Sequence, residues 1–138
     1  MPDVRPLNRK KYNISKRAFQ TAYNYCLQYN EWKEELAVMR DTRAGQKLTG
    51  QPGSHGCPDP TADVAIATAE IICKIQKIEE SVLAAVGREK ELYPYLLYYV
   101  TTESCTFQIM KARGIPCERS YFYELRRRFY SIVAKKIT

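Results

Sequence analysis

The sequence predicts an all-α protein: a helical bundle with a long central helix and a C-terminal helix-turn-helix. Three observations carry that prediction. Apolar residues recur at three- and four-residue intervals in every patterned segment. No apolar/polar alternation long enough to mark a strand occurs. Glycine and proline gather in one stretch, and elsewhere stand mainly where a helix would start or stop.

Taken in order, the first helix is announced by Ser15, a good N-cap, followed by Phe19, Ala22, Tyr23, Cys26 and Leu27 on one side. Asn30 is placed to cap a second piece, with Glu31, Glu34 and Glu35 in its first turns and Trp32, Leu36 and Met39 as its apolar contacts. Residues 41–60, DTRAGQKLTGQPGSHGCPDP, hold four of the six glycines and three of the seven prolines, and predict a long flexible loop. The organisation expected is therefore a basic arm and helical segment over 1–40, the loop over 41–60, and a long helix plus helix-turn-helix over 61–138. Together these would form one compact domain.

Asp59-Pro60 starts the long helix, with proline at the first helical position, and Gly87 ends it. Val64, Ile71, Ile75, Ile78, Val82 and Val86 form its stripe, and Ile66, Ile72, Cys73 and Leu83 a second apolar side. A helix buried on two sides is central to a bundle or shared with a partner chain, so homodimerisation is expected. ELYPYLLYYVT predicts a short helix from near residue 92 to Thr101, because Pro94 fits only a first turn.

From Thr102 to Lys136 the chain reads as helix, tight turn, helix. Thr102 or Ser104 caps a short helix carrying Phe107, Ile109 and Met110. Gly114 ends it, Ile115 plugs the space between helices, and Pro116 prevents continuation. The second helix starts near Cys117 or Glu118 and sets Phe122, Leu125, Phe129, Ile132 and Val133 on an arc of roughly 100°. Arg119, Ser120, Tyr123, Arg127 and Tyr130 are expected to project away from that stripe, with Arg126 and Arg128 at its edges.

Composition narrows the function. The 138 residues are 45% hydrophobic and 27% charged, a globular balance. No apolar run reaches the roughly 18 residues of a membrane span, so a soluble cytoplasmic protein is expected. Five cysteines (Cys26, Cys57, Cys73, Cys105, Cys117) with no CxxC pair and one histidine argue for buried free thiols rather than metal. No cofactor motif is present. Glu34-Glu35 and Glu79-Glu80 are adjacent on helices, so each pair points its carboxylates about 100° apart. Cys117 beside Arg119 has a setting that lowers a thiol pKa, but the lone His55 lies in the loop. Catalysis is not expected. The net charge of +7 is distributed as +5 over residues 1–17, +6 over 111–138 and −4 between them. Basic ends on a mildly acidic middle suit a polyanionic partner.

The segment GIPCERSYFYELRRRFY resembles the C-terminal helix-turn-helix of small phage and prophage transcription regulators of the ArpU and RinA type, a module similar to region 4 of sigma-70-family factors. The matching positions are Gly114, Ile115, Ser120, Phe122, Tyr123, Arg126 and Arg127. The opening RPLNRKKYNISKRAFQTAYNYCLQYNEWKEEL is similar to short prophage proteins of Gram-positive gut bacteria. Pro116-Cys117 departs from the usual capping serine, and Glu124 stands where a base is common. The resemblance implies a phage-encoded regulator in a bacterial host, bound to double-stranded DNA and in contact with host RNA polymerase. In such a docking, Arg119, Ser120 and Tyr123 would read bases. Lys111, Arg113, Arg126, Arg127 and Arg128 would hold phosphates, and an arm with Arg5, Arg9, Lys10 and Lys11 would reach the next groove. The alternatives are a DNA-packaging adaptor like a small terminase subunit, whose DNA-binding module is commonly N-terminal, and a phage inhibitor of a host protein.

Overall fold

A hydroxyl opens the first helix: Ser15 Oγ accepts from the Ala18 N–H at 3.1 Å and starts α1 (Lys16–Leu27). The computed structural model describes residues 14–48 and 60–137. The basic arm, His55, Cys57 and Asp59 lie outside the described residues. The chain breaks at Gln28, whose amide donates to the Tyr25 carbonyl at 3.2 Å, and α2 (Tyr29–Leu48) follows at once. Asn30 therefore lies inside α2 rather than at the position before it, because the break between the two helices is a single residue. The helix also runs into the stretch expected to be a loop, as far as Leu48. Gly45 costs a helix only about 1 kcal/mol, and the first proline comes at Pro52.

Pro60 opens α3 (Pro60–Val86), and Gly87, at φ +58, closes it with its amide on the Leu83 carbonyl at 3.0 Å. A 3-10 turn (Lys90–Leu92) leads into α4 (Tyr93–Thr101), with Pro94 in its first turn as expected. Thr106, not Thr102 or Ser104, caps α5 (Phe107–Ala112), its hydroxyl accepting from the Ile109 N–H at 3.4 Å. Thr102 closes α4, and Ser104 holds a left-handed φ of 61°, which leaves Thr106 the first residue with cap geometry. The last helix is α6 (Arg119–Ile137). Among the described residues the fold is all-α without strands, and no helix is long and apolar enough to cross a membrane.

Contacts divide the chain into two compact units. At 27 residues α3 is about 40 Å long, more than one small core spans, and it belongs to both. The unit of Asn30–Gln76 pairs α2 with α3. Trp32 receives the Lys74 ammonium 5.5 Å from its ring centroid, and Thr68 Oγ1 lies 3.6 Å from Met39 Sδ. Rising numbers on α2 meet falling numbers on α3, so the pair is antiparallel. Trp32, Leu36, Ile71 and Ile75 are buried. The expected second apolar side of α3 is not: Ile66 and Leu83 are 60% and 47% exposed, and Cys73 is exposed too. Burial follows the Ile71–Val86 stripe, with Ser81 and Ala85 buried beside it.

The other unit takes the chain up to Tyr29 and from Lys77 onward. Its core is built on α6. Phe122, Leu125, Phe129, Tyr130 and Val133 are fully buried among Phe19, Ala22 and Cys26 of α1, Ile78 and Val82 of α3, and Leu96 and Val100 of α4. Ring contacts fix the packing. Phe19 meets Tyr130 edge-on at 5.0 Å, and Tyr99 meets Phe122 edge-on at 4.8 Å. Each such pair is worth about 0.5–1.5 kcal/mol beyond the area it buries. Lys136 pairs with Glu80 at 3.2 Å, and the Tyr121 hydroxyl donates to the Glu89 carboxylate, binding α6 to α3 and to the turn after it.

Tyr130 was expected to face outward. It is 1% exposed, because α1 brings Phe19 and Tyr23 over the side on which it projects. Burial pushes its hydroxyl well above the ordinary tyrosine pKa of 10.0. The unfolded chain ionises there and the folded one does not. That stability is therefore complete below about pH 10 and is lost as the pH rises beyond it. Denaturant midpoints measured from pH 9 to 11 should fall with pH, and more gently for Tyr130→Phe, by up to about 1.4 kcal/mol per pH unit. Equal slopes would mean that Tyr130 ionises without unfolding.

Candidate functional site

The turn between α5 and α6 is set by its hydrogen bonds. Gly114, at φ +90, donates to the Lys111 carbonyl at 3.0 Å, and Ile115 donates to the Met110 carbonyl at 3.1 Å. That is a Schellman motif, and its accompanying apolar contact comes from Ile115 and Met110, both buried. The Tyr95 hydroxyl of α4 donates to the Gly114 carbonyl at 3.3 Å and holds the turn from outside. Glu118 then takes the cap position of α6, its carbonyl accepting from the Phe122 N–H at 3.0 Å.

Once α6 has been started this way, its two halves differ. The side that is buried at Tyr130 and Ala134 is open at its beginning. There Glu118, Arg119, Ser120, Tyr123, Glu124 and Arg127 line one open depression of about 740 Å³. At 1.5 Å per residue, the stretch from Glu118 to Arg127 is about 13 Å long. Arg127 lies 3.3 Å from the Glu124 carboxylate, and both are about one-third exposed. A pair so placed contributes at most about 0.5 kcal/mol to a helix, so either partner can be drawn away. The Arg119 guanidinium sits 5.8 Å from the Phe107 ring centroid.

The eight residues proposed from the sequence meet different fates. Arg119, Ser120, Tyr123 and Arg127 come together on the open face. Lys111 and Arg113 are exposed on α5 and its turn, outside the lining, with Arg113 stacked 4.0 Å over the Tyr98 ring. Arg128 reaches back to α3 and donates from Nη1 to the Ala85 carbonyl at 3.0 Å, satisfying an acceptor in that helix's last turn. Arg126 is not the surface phosphate contact expected of it. It is 8% exposed, its guanidinium 5.8 Å from the Phe19 ring and 5.4 Å from the Tyr130 ring. Three consecutive arginines point 100° apart on a helix, and here that separates an open face, a core and a helix end.

Comparison with protein-family models, curated proteins and solved structures finds no match.

Two members of the face were not proposed as site residues, Glu118 and Glu124. Continuing the 119, 120, 123, 127 spacing through 124 would have found the second. Cysteine chemistry also differs from expectation. Only Cys26 of the described thiols is buried, Cys73 is exposed, and Cys105 and Cys117 are intermediate. Burial pushes the Cys117 thiol up, and the Glu89 charge adds to the rise, so Cys117 lacks the lowered pKa its helix-terminal position suggested.

Because the Gly114 turn sets where the head of α6 emerges, Gly114→Ala tests it. A Cβ there would meet only the Tyr95 hydroxyl at 3.9 Å, so the cost is the left-handed backbone itself. Urea denaturation should report a loss of about 1–2 kcal/mol. A loss near zero would mean that the turn relaxes to a negative φ.

Proposed function

We propose that this chain binds double-stranded DNA by seating the head of α6 in the major groove, and that it acts as a transcription regulator of the phage type. The observation that carries the reading is the open face of Arg119, Ser120, Tyr123 and Arg127. A helix about 10–12 Å across fits a major groove about 12 Å wide, and the face presents its side chains over about 13 Å of that helix. Arg119 is suited to a guanine edge through its planar fork, with Ser120 and Tyr123 beside it on neighbouring bases. Arg127, Lys111 and Arg113 take the phosphates. Arg128 is left to α3.

Glu118 and Glu124 on the same face favour a second reading, a protein partner recognised by charges of both signs. Salt-titrated fluorescence anisotropy with duplexes from around the gene's own locus separates the two. Arg127→Ala should flatten the log–log salt slope by about one unit. Arg119→Ala should cost about 1–3 kcal/mol on the preferred duplex and little on a scrambled one. Absence of duplex binding by the wild type near physiological salt would remove the DNA reading and leave the protein partner.

A further inference from the structure

Glu124 stands in the middle of the open face rather than at its rim. It is the sixth residue of α6, with Ser120 about one turn before it and Arg127 about one turn after, and all three line the same depression. Its Oε2 lies 3.3 Å from Arg127 Nη1, and both side chains are about one-third exposed. On a duplex a carboxylate so placed acts in two ways. Toward the phosphates it is repulsive, and it offsets part of the Arg127 charge, whatever the sequence. Toward the base edges it is selective, because an ionised carboxylate only accepts hydrogen bonds. In the major groove guanine presents the acceptors N7 and O6, and thymine the acceptor O4 beside a methyl group. Adenine sets the N7 acceptor next to its N6 amino group, and cytosine alone presents a donor, N4, with no acceptor. A carboxylate has about four acceptor positions, so accepting from a base is compatible with keeping Arg127.

Resting on the reading of this face as a duplex-binding surface, we propose that Glu124 is a specificity-determining residue. It accepts from the N4 amino group of one cytosine in the major groove and discriminates against the other three bases at that position. The repulsive half of its action matters as much as the attractive half. A carboxylate among Arg119, Ser120, Tyr123 and Arg127 weakens contact with every duplex, and only a cytosine in the right place restores what it costs. The partner so defined is a duplex with a C·G pair at one fixed position, and other duplexes are held less tightly than the two arginines alone would hold them.

The test enriches bound sequences from a pool of short random duplexes on the full chain, as wild type, Glu124→Gln and Glu124→Ala. Affinities are then measured by fluorescence anisotropy on the enriched duplex, its single-pair variants and a scrambled duplex. One C·G pair of the sequence enriched by the wild type should become A·T with Glu124→Gln, because a glutamine amide pairs with adenine N6 and N7. With Glu124→Ala the same position should hold no preferred pair, and the other positions should stay as they are in both variants. Exchanging that C·G pair should weaken binding by the wild type about five- to 150-fold. Both variants should bind the scrambled duplex about twofold more tightly than the wild type, since a negative charge near the phosphates is gone. Their melting temperatures should stay near that of the wild type, because an ion pair of this exposure adds little to stability. The same enriched sequence in all three chains overturns the proposal, and with a lowered melting temperature it makes Glu124 a structural partner of Arg127. Duplex binding by the wild type without any sequence preference also overturns it and leaves the DNA reading in place. Failure of the wild type to bind any duplex removes the DNA reading and this proposal together.

Discussion

Burial of the second half of α6 is the constraint on which the larger unit depends. From Phe122 to Ala134 the helix is enclosed by α1, α3 and α4, and its aromatic residues hold the contacts. Helices of this size gain most of their stability from tertiary packing rather than from propensity. The enclosure therefore supplies most of what holds α6 in place. The same enclosure bounds the open face. Where Phe19 and Tyr23 come over Tyr130, the side of α6 that carries Ser120 and Tyr123 passes from open to buried.

The Arg126-Arg127-Arg128 triplet shows how little a charge run says about a surface. The three side chains leave the helix at 100° intervals, and three separate environments decide what each does. Arg127 lies beside Glu124 on the open face, Arg128 serves the end of α3, and Arg126 lies among rings. The cationic strength of the α6 face is accordingly less than the sequence suggests. Two arginines are offset there by Glu118 and Glu124. Recognition by such a face rests more on where its side chains stand than on total charge, and the exposed Lys111 and Arg113 on the neighbouring element add to the cationic side.

Much of the fold was legible in the sequence because it rests on local chemistry. Ser15 as a cap, Pro60 as a first helical residue, Gly87 and Gly114 at positive φ, and the Ile71–Val86 stripe each depend on a few neighbouring residues. Asn30 and the loop boundary were misread for a related reason. A capping residue can lie inside a helix, and glycine weakens a helix without ending it. The candidate face was half legible. Arg119, Ser120, Tyr123 and Arg127 follow from helical spacing alone. Tyr130 and Arg126 share that spacing but lie where α1 arrives, and nothing in residues 119–137 says that a distant segment will cover them. A tyrosine is amphipathic enough to stand on either side of such a boundary, so its burial is decided by tertiary packing.

The division within α6 also bears on how stability and recognition share one helix. A residue placed to bind an anion is poorly placed to stabilise an isolated helix N-terminus, since both the dipole and the anion act on the same site. Putting the stabilising contacts at Phe129, Tyr130 and Val133 removes that conflict, because these lie two to four turns beyond Arg119. The head of the helix is then held in position by its tail and by the Gly114 turn, with Tyr95 bracing the turn from α4. Residues on the face are free to vary in charge without unfolding the helix. Changes at Phe19, Tyr99 or Tyr130, by contrast, act on the face only through the packing that orients it.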